Sequence, residues 1–256
     1  MYVCELIKPG SFICHEDREY SWKYENLIRY LESSFCEANV SLNLFTEEYI
    51  KAEQFKTPTY EEAMADFQKR KDLGEEIRNE FNSDYSEDVI FEVDVRLKRE
   101  KWSKGIMPAS HQHCLLFIFA KSFLYSLDEI CRFIKVISGQ HDAPEKTKEL
   151  NFRVSECFPH LRAVRNSAQH LDERACLIGA YGKKLEPKGV SNGSYNVPPG
   201  ALMLDNLNGS KFGTTMADGH YGEIDVTHET LEIIRDIVQE VIYSFQWEGA
   251  KEFLPR

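Results

Sequence analysis

The chain has 256 residues, of which 42% are hydrophobic and 29% are charged. This length and composition are typical of a globular protein whose core needs no disulfide or metal to hold it. Acidic residues outnumber Lys and Arg by 42 to 31, and the formal net charge is −11. That charge excludes a general nucleic-acid coat protein, because most of the surface repels phosphate, but it leaves room for a local basic site. No apolar run reaches membrane-spanning length, so no membrane partner is expected.

The cysteines and the N-terminus bear on the cellular compartment. Seven cysteines are present, an odd number, and none forms a C-x-x-C pair. Scattered cysteines of this kind are typical of reduced thiols in a cytoplasm. The segment Met1–Glu5 also lacks the basic-then-apolar layout of a secretory signal. We therefore expect a cytoplasmic protein.

Residues 1–104 are predicted to form an N-terminal, mainly helical region of unknown function. A short strand at its start is followed by predicted helices at 17–35, 46–55 and 57–81. Apolar residues then alternate with mostly polar ones, and this period of two predicts a half-buried β-strand near 88–97. The alternating apolar residues are Val89, Phe91, Val93, Val95 and Leu97.

A basic segment overlaps the end of this predicted strand. Its members are Arg96, Lys98, Arg99, Lys101 and Lys104, with the indole of Trp102 among them. Cations beside an aromatic ring are a combination that suits the docking of single-stranded RNA. These residues are therefore candidates for RNA binding, and a solvated strand end and loop is the alternative interpretation.

Residues 105–256 are predicted to form a second, mainly helical domain. Its most apolar helix begins near Pro108 and continues to about Ser138. The helix carries one polar face, and the rest of its surface is typical of the centre of a helical bundle. A polar loop is expected before the next helix.

A small sheet is predicted within this second domain. The pairs Asn208-Gly209 and Asp218-Gly219 are strong signals for two-residue hairpin turns. They divide the region near 200–226 into a three-stranded meander, after which a last amphipathic helix begins. The predicted fold class is therefore mainly α, a helical bundle with a small antiparallel β-meander inserted before the last helix.

The segment from Arg165 to His170 carries the most informative chemistry. Apolar residues at steps of three and four predict a helix here, with one apolar stripe. The stripe consists of Leu161, Val164, Ala168, Leu171 and Ala175. At about 100° per residue, Asn166 and His170 lie roughly opposite the stripe, and Arg165 lies between the two faces. A permanent cation, an amide and a titratable imidazole within two turns suit RNA cleavage without a metal, and a solvated helix face is the alternative.

The spacing Arg165-Asn166-x-x-x-His170 resembles the HEPN superfamily, whose hallmark is an arginine, a polar residue, three free positions and a histidine. The resemblance covers about residues 106–245 and implies a HEPN-like helical bundle. Many members are metal-independent endoribonucleases of toxin–antitoxin, antiphage-defence or RNA-processing systems. They commonly form homodimers in which two Arg/His pairs meet in one cleft. Other members are non-catalytic modules for dimerisation, for binding of a protein partner, or for binding of nucleotides or RNA, and this alternative stays open.

The resemblance implies a division of roles among three residues. His170 assists removal of the ribose 2′-hydroxyl proton or protonates the leaving 5′-oxygen, and Arg165 stabilises the charge that develops on the phosphorane. Asn166 orients the imidazole or hydrogen-bonds the phosphate. The products are a 2′,3′-cyclic phosphate and a 5′-hydroxyl, with no metal or cofactor. The implied partners are an RNA substrate, a second copy of the chain, and an antitoxin or regulatory protein.

Two other groups of residues carry weaker signals. The side chains of His111, His113 and Cys114 are of types that bind zinc, but a helix directs them to different sides, and no metal site is predicted. On the long apolar helix, Asp128 and Glu129 could anchor the motif arginine if the two helices pack side by side. Ordinary acids on the bundle surface are the favoured interpretation of this pair.

Overall fold

The computed structural model describes residues 1–54, 59–81 and 87–255. These residues are mainly helical and carry small antiparallel strand pairs, which confirms the predicted fold class at that level. The helices are α1 (Arg18–Glu53), α2 (Tyr60–Phe81), α3 (Glu87–Ser103), α4 (Ala109–Ser138), α5 (Lys146–Cys157), α6 (Leu161–Gln169), α7 (Leu171–Ala175) and α8 (His228–Tyr243), with a 3-10 turn at Ala180–Gly182. Among the described residues, no helix is both long enough and apolar enough to cross a membrane.

The strands form four small antiparallel groups. They are β1 (Leu6–Lys8), β2 (Phe12–Ile13), β3 (Val190–Ser191), β4 (Asn196–Val197), β5 (Asn206–Asn208), β6 (Lys211–Thr215), β7 (Tyr221–Asp225), β8 (Trp247–Glu248) and β9 (Glu252–Leu254). β1 pairs with β9, β2 pairs with β8, and β3 pairs with β4. The sheet β5-β6-β7 confirms the meander predicted near 200–226, and β1 confirms the predicted N-terminal strand.

The chain divides into two compact units. The larger unit contains Met1–Glu47 and Leu116–Arg256, and the smaller unit contains Glu48–Leu115. The predicted division into 1–104 and 105–256 differs from this one, because the first 47 residues contribute β1, β2 and most of α1 to the larger unit. Periodicity indicates which face of a helix is buried, but it does not indicate which distant element covers that face.

The core of the larger unit is built from apolar stripes on α1, α4 and α8. The stripe of α1 consists of Tyr24, Ile28, Leu31, Phe35, Ala38, Leu42 and Phe45, all buried. Stripes on α4 and α8 occupy residues 123–137 and 231–242 at the same helical spacing. The hydroxyl of Thr227 accepts a hydrogen bond from the N–H of Thr230 and caps α8.

The three-stranded sheet supports helix α6. The buried side of α6 includes Leu161 and Val164, and the helix contacts β6 and β7. Gly222 of β7 allows this close approach, because a Cβ atom there would lie 2.9 Å from Cγ2 of Val164 and 2.8 Å from Sδ of Met216. The packing of its apolar face on the sheet leaves the polar side of α6 for other contacts.

The smaller unit contradicts the β-strand predicted near 88–97. These residues lie in helix α3, which packs against α2. The core between the two helices consists of Ile77, Val89, Val93 and Leu97. Its three members on α3 are four residues apart, so they lie on one face of a helix and would also lie on one face of a strand. Phe91 is 69% exposed, which shows that the alternating residues do not share one buried face.

Two helix predictions also differ from the structure. The predicted helices at 17–35 and 46–55 fall within the single helix α1 as far as Glu53. The end of the second prediction, at residue 55, and the predicted helix start at 57–58 lie outside the described residues. The polar loop expected before the motif helix contains α5, whose buried residues are Thr147, Leu150 and Val154. Three buried positions in twelve residues are too weak a pattern to predict a helix from hydrophobic spacing.

A polar cluster joins α1 to the loop between α4 and α5. The carboxylate of Asp142 accepts hydrogen bonds from the Lys23 ammonium and from the Tyr24 hydroxyl, each at 2.7 Å. Both donors favour the charged form of the carboxylate, and they lower the pKa of Asp142 to about 2. The cluster therefore links α1 to this loop most strongly when Asp142 is ionised.

We expect Asp142→Asn to lower the free energy of unfolding by about 1–2 kcal/mol near neutral pH, because charge-assisted hydrogen bonds at a partly exposed site are lost. A carboxyl with a lowered folded-state pKa stabilises the fold fully above its unfolded-state pKa of about 4. This stabilisation is lost as the pH falls through the folded-state pKa of about 2. Urea unfolding should show the difference between variant and wild type shrinking over this range. The half-exposed Asp225 provides the control, Asp225→Asn, and a difference independent of pH would contradict the prediction.

We expect Gly222→Val to lower the free energy of unfolding by about 1–3 kcal/mol, although valine favours strands, because the new side chain overlaps Val164 and Met216. Gly193→Val is the control, since a Cβ atom there meets nothing within 4 Å. Denaturant unfolding of both variants provides the measurement. Equal stability of the two variants would show that α6 does not depend on the close approach at Gly222.

Candidate active site

An ion pair between Arg165 and Asp128 joins α6 to α4. The Arg165 guanidinium donates to Oδ2 of Asp128 from Nε at 2.8 Å and from Nη2 at 2.5 Å. The side chain of Asp128 is only 5% exposed and that of Arg165 is 16% exposed. The pair is therefore largely removed from water, where each charge depends on the other.

The environment of Asp128 corrects the sequence-based interpretation. Asp128 is buried and holds the motif arginine, so its favoured interpretation as an ordinary surface acid is wrong. Glu129, the next residue, is exposed as expected. A signal was available in the sequence, because position 128 follows Leu124 by four residues and thus lies on the apolar side of α4.

Within the part of the chain that the structure describes, the guanidinium of Arg165 retains free donors. It uses three of its five N–H groups, two on Asp128 and one, from Nη1, on Oε1 of Gln169 at 2.8 Å. The two remaining N–H groups belong to the two terminal nitrogens, which can together contact two oxygens of a phosphate. The contact with Gln169 also directs the guanidinium to the last turn of α6, next in sequence to His170.

His170 lies where the predicted helix is interrupted. Its backbone has φ −107° and ψ 47°, so α6 ends at Gln169 and α7 begins at Leu171. The N–H of His170 still donates to the carbonyl of Asn166 at 2.9 Å, which keeps the residue at the helix end. The imidazole is 52% exposed, and a histidine at this position can reach a ligand in solvent.

Polar contacts connect the imidazole of His170 to the protein interior through Glu173 and Arg174. Nδ1 of His170 lies 3.4 Å from Oε1 of Glu173, and Oε2 of Glu173 lies 3.3 Å from Nη1 of Arg174. The buried guanidinium of Arg174 donates to the carbonyl of Ile178 at 2.5 Å and to the Ser167 hydroxyl at 3.3 Å. With a proton on Nδ1 towards Glu173, neutral His170 would keep Nε2 as a proton acceptor.

Asn166 is half-buried on the turn between Arg165 and His170. Within the described residues its side-chain amide makes no hydrogen bond, while its main-chain carbonyl accepts from His170. The amide is therefore available as a donor or acceptor to a ligand. The three predicted catalytic residues thus share the second half of α6 and its C-terminal end, although Arg165 is also engaged with α4.

The predicted RNA-binding segment lies on α3 and in the turn after it. Four of its five cations are paired with carboxylates of α2 or α3: Arg96 with Glu80 and Glu92, Lys98 with Asp94, Lys101 with Asp66, and Lys104 with Glu100. In the described part of the chain Arg99 forms no ion pair, and the Trp102 indole is half-exposed. Paired cations attract phosphate less strongly than free ones, and the assignment of this segment to RNA binding stays a prediction.

The side chains near the motif in the described part of the chain do not form a metal site. Over residues 1–54, 59–81 and 87–255 no group of three His, Cys, Asp or Glu residues is arranged to hold a metal ion. Cys131 lies one turn after Asp128 on α4, and burial raises the pKa of its thiol, with a further increase from the charge of Asp128. At neutral pH this side chain is a thiol rather than a nucleophilic thiolate.

We expect Arg165→Ala to lower the free energy of unfolding by about 3–5 kcal/mol, because it leaves the buried Asp128 carboxylate unpaired. Asp128→Asn should cost less, about 1–3 kcal/mol, since Arg165 keeps its bond to Gln169 and some contact with water. The double variant should be more stable than Arg165→Ala alone. A double-mutant cycle by urea unfolding measures the coupling, and strictly additive effects would contradict a coupled pair.

Comparison of the chain with protein-family models, with curated proteins and with solved structures finds no match. The HEPN resemblance therefore remains a prediction that depends on the spacing of Arg165, Asn166 and His170.

Proposed function

We propose that the chain is a metal-independent endoribonuclease of the HEPN type, in which Arg165 and His170 are catalytic residues and Asn166 assists them. The main support is the environment of Arg165: a buried carboxylate fixes its guanidinium, and two of its N–H groups have no partner among the described residues. The exposed imidazole of His170 follows one residue after Gln169, which Arg165 contacts. A fixed cation with free donors can stabilise a phosphorane without reorganising during the reaction.

The proposed reaction is an internal transfer that consumes no water. The ribose 2′-oxygen attacks the adjacent phosphorus, and the bond from phosphorus to the 5′-oxygen breaks. The proton leaves the 2′-hydroxyl and a proton reaches the 5′-oxygen, so the products are a 2′,3′-cyclic phosphate and a 5′-hydroxyl. His170 would transfer one of these protons through Nε2, and the Arg165 guanidinium would bind the non-bridging oxygens.

Glu173 and Asn166 have supporting roles in this mechanism. Glu173, itself beside the buried Arg174, is close enough to Nδ1 of His170 to favour one ring orientation. The side-chain amide of Asn166, which has no hydrogen-bond partner among the described residues, can donate to the phosphate. Glu173 is therefore a positioning residue, whereas Asn166 would contact the substrate directly.

The proposed biological setting follows the resemblance. We expect a cytoplasmic enzyme of a toxin–antitoxin, antiphage-defence or RNA-processing system, active as a homodimer and controlled by an antitoxin or other regulatory protein. Two protomers would bring a second Arg165/His170 pair to the substrate, so that one histidine could act as base and the other as acid. The mass of the protein in solution, by light scattering, tests the dimer.

A second candidate function is a non-catalytic interaction module. The observation that favours it is the same Arg165–Asp128 pair, because an arginine that is 16% exposed and bonded to a buried acid also suits a purely structural role. The net charge of −11 further disfavours general RNA affinity.

His170→Ala distinguishes the two functions. We expect wild-type protein to cleave single-stranded RNA in EDTA, and we expect a loss of at least about 100-fold in the cleavage rate of the variant, in line with the loss of a general acid–base group. The imidazole is half-exposed, so the variant should unfold at the same urea concentration as wild type. End-group analysis of the RNA should show 2′,3′-cyclic phosphates.

His160→Ala is the matched control, since His160 is an exposed histidine at the opposite end of α6. Its cleavage rate should equal that of wild type. Because Arg165→Ala unfolds more readily, the arginine is best tested in the Asp128→Asn background, where Arg165→Ala should still abolish cleavage. Intact RNA at high wild-type concentration, across several sequences, would favour the interaction module, and inhibition by EDTA would reject the metal-free mechanism.

A further inference from the structure

A small cavity adjoins the Arg165–Asp128 pair on the surface of the larger unit. It has a volume of about 200 Å³ and lies between α4, α5 and the segment that leads into α6. Asp128 forms part of its wall, so the residue that holds the motif arginine also borders this cavity. Pockets for drug-sized ligands are about 300–1,000 Å³, so this one suits a smaller chemical group.

The cavity is lined by three cations. Arg132 and Lys135 come from α4, and Arg162 comes from the first turn of α6. All three are exposed, and in the described part of the chain none of them is ion-paired. The acid in the wall, Asp128, is already neutralised by Arg165. The opening is thus a concentration of free positive charge on a protein whose net charge is −11.

The remaining chemistry of the lining also suits an oxyanion. Asn151, which is half-buried, also lines the cavity, and among the described residues its side-chain amide forms no hydrogen bond. Two guanidinium groups, one ammonium group and one amide provide several N–H donors around a small volume. Phosphoryl groups are bound by donor sets of this kind, with arginine contacting two oxygens at once.

The cationic lining continues from the proposed catalytic site. Asp128, Arg132 and Lys135 are separated by four and three residues, so they lie along one side of α4. At 1.5 Å per residue they extend for roughly 10 Å along the helix axis. A ligand that occupies both the cavity and the free donors of Arg165 would need phosphates repeated at short intervals, as an RNA backbone has.

We propose that this cavity binds a backbone phosphate of RNA, adjacent to the phosphodiester at Arg165 and His170. This inference rests on the proposed endoribonuclease function, and it locates the substrate along α4 rather than on the ion-paired segment 96–104. Arg132, Lys135 and Arg162 are the phosphate contacts, and Asn151 donates a further hydrogen bond. A free nucleotide presents the same phosphoryl chemistry, and the experiment separates it from RNA.

The test compares two triple variants of the full chain with equal charge changes. The cavity variant carries Arg132→Gln, Lys135→Gln and Arg162→Gln. The control variant carries Lys183→Gln, Lys184→Gln and Lys251→Gln, which alter three exposed lysines away from the cavity. The probe is a 2′-O-methyl oligoribonucleotide, which has no 2′-hydroxyl nucleophile, so binding is measured without cleavage. A nucleoside monophosphate is the second probe.

We expect the cavity variant to bind the oligonucleotide about 10- to 100-fold more weakly than the control variant. The dependence of log affinity on log salt concentration should become less steep by about 0.7 for each lost phosphate contact. Thermal unfolding of both variants should match wild type, because all six residues are exposed. Weaker oligonucleotide binding with an unchanged fold supports the RNA-phosphate site.

Equal oligonucleotide binding by the two triple variants would overturn the inference. If only nucleoside monophosphate binding is lost, the cavity binds a free nucleotide and the RNA assignment is also overturned. Failure of the proposed function gives a different result: RNA is not cleaved by wild type, while the cavity variant still loses oligonucleotide affinity. Conversely, cleavage of RNA together with equal binding by both variants would reject the cavity and retain the nuclease.

Discussion

The pairing of Arg165 with Asp128 is the constraint on which the rest of the larger unit's chemistry depends. The Asp128 carboxylate is 5% exposed and requires a cation close by. The position of α6 against α4 places the Arg165 guanidinium there. Buried ion pairs contribute little net stability compared with apolar contacts, but they penalise every alternative arrangement strongly. The pair therefore fixes the relative position of two helices, and with it the direction in which the guanidinium points.

The apolar and polar sides of α6 make different contacts. Its apolar side lies on the β-meander, where Gly222 lets the backbone of β7 approach Val164 closely. Its polar side carries Arg165 and Asn166, and the interruption at His170 exposes the imidazole at the helix end. Rigid packing on one side and an exposed histidine on the other are what a catalytic group requires, because its supporting residues stay fixed while it meets the ligand.

Local sequence features predicted the elements that are specified locally. The meander, α4 and α8 form as predicted, but the two turns differ from the prediction. Asn208 pairs with Lys211, so the first turn consists of residues 209–210, and Thr215 pairs with Tyr221, so Asp218-Gly219 lies in a longer loop. The prediction of a strand near 88–97 was wrong because the apolar residues of α3 fit both the period of two of a strand and the period of 3.6 of a helix. For the site, the spacing of Arg165, Asn166 and His170 was visible in the sequence. Anchoring of Arg165 by Asp128 was only the less favoured of two interpretations, and the cations around the cavity had no predicted site role, because both depend on how α4 packs against α5 and α6.

The pairing of β1 with β9 has a consequence for biosynthesis. Leu6 is opposite Leu254 in the register, so β1 has no strand partner until residues 252–254 have been translated. Contacts over such sequence distances form late and slowly. Until then the nascent larger unit lacks this strand pair, and the unpaired edge of β1 is accessible to chaperones.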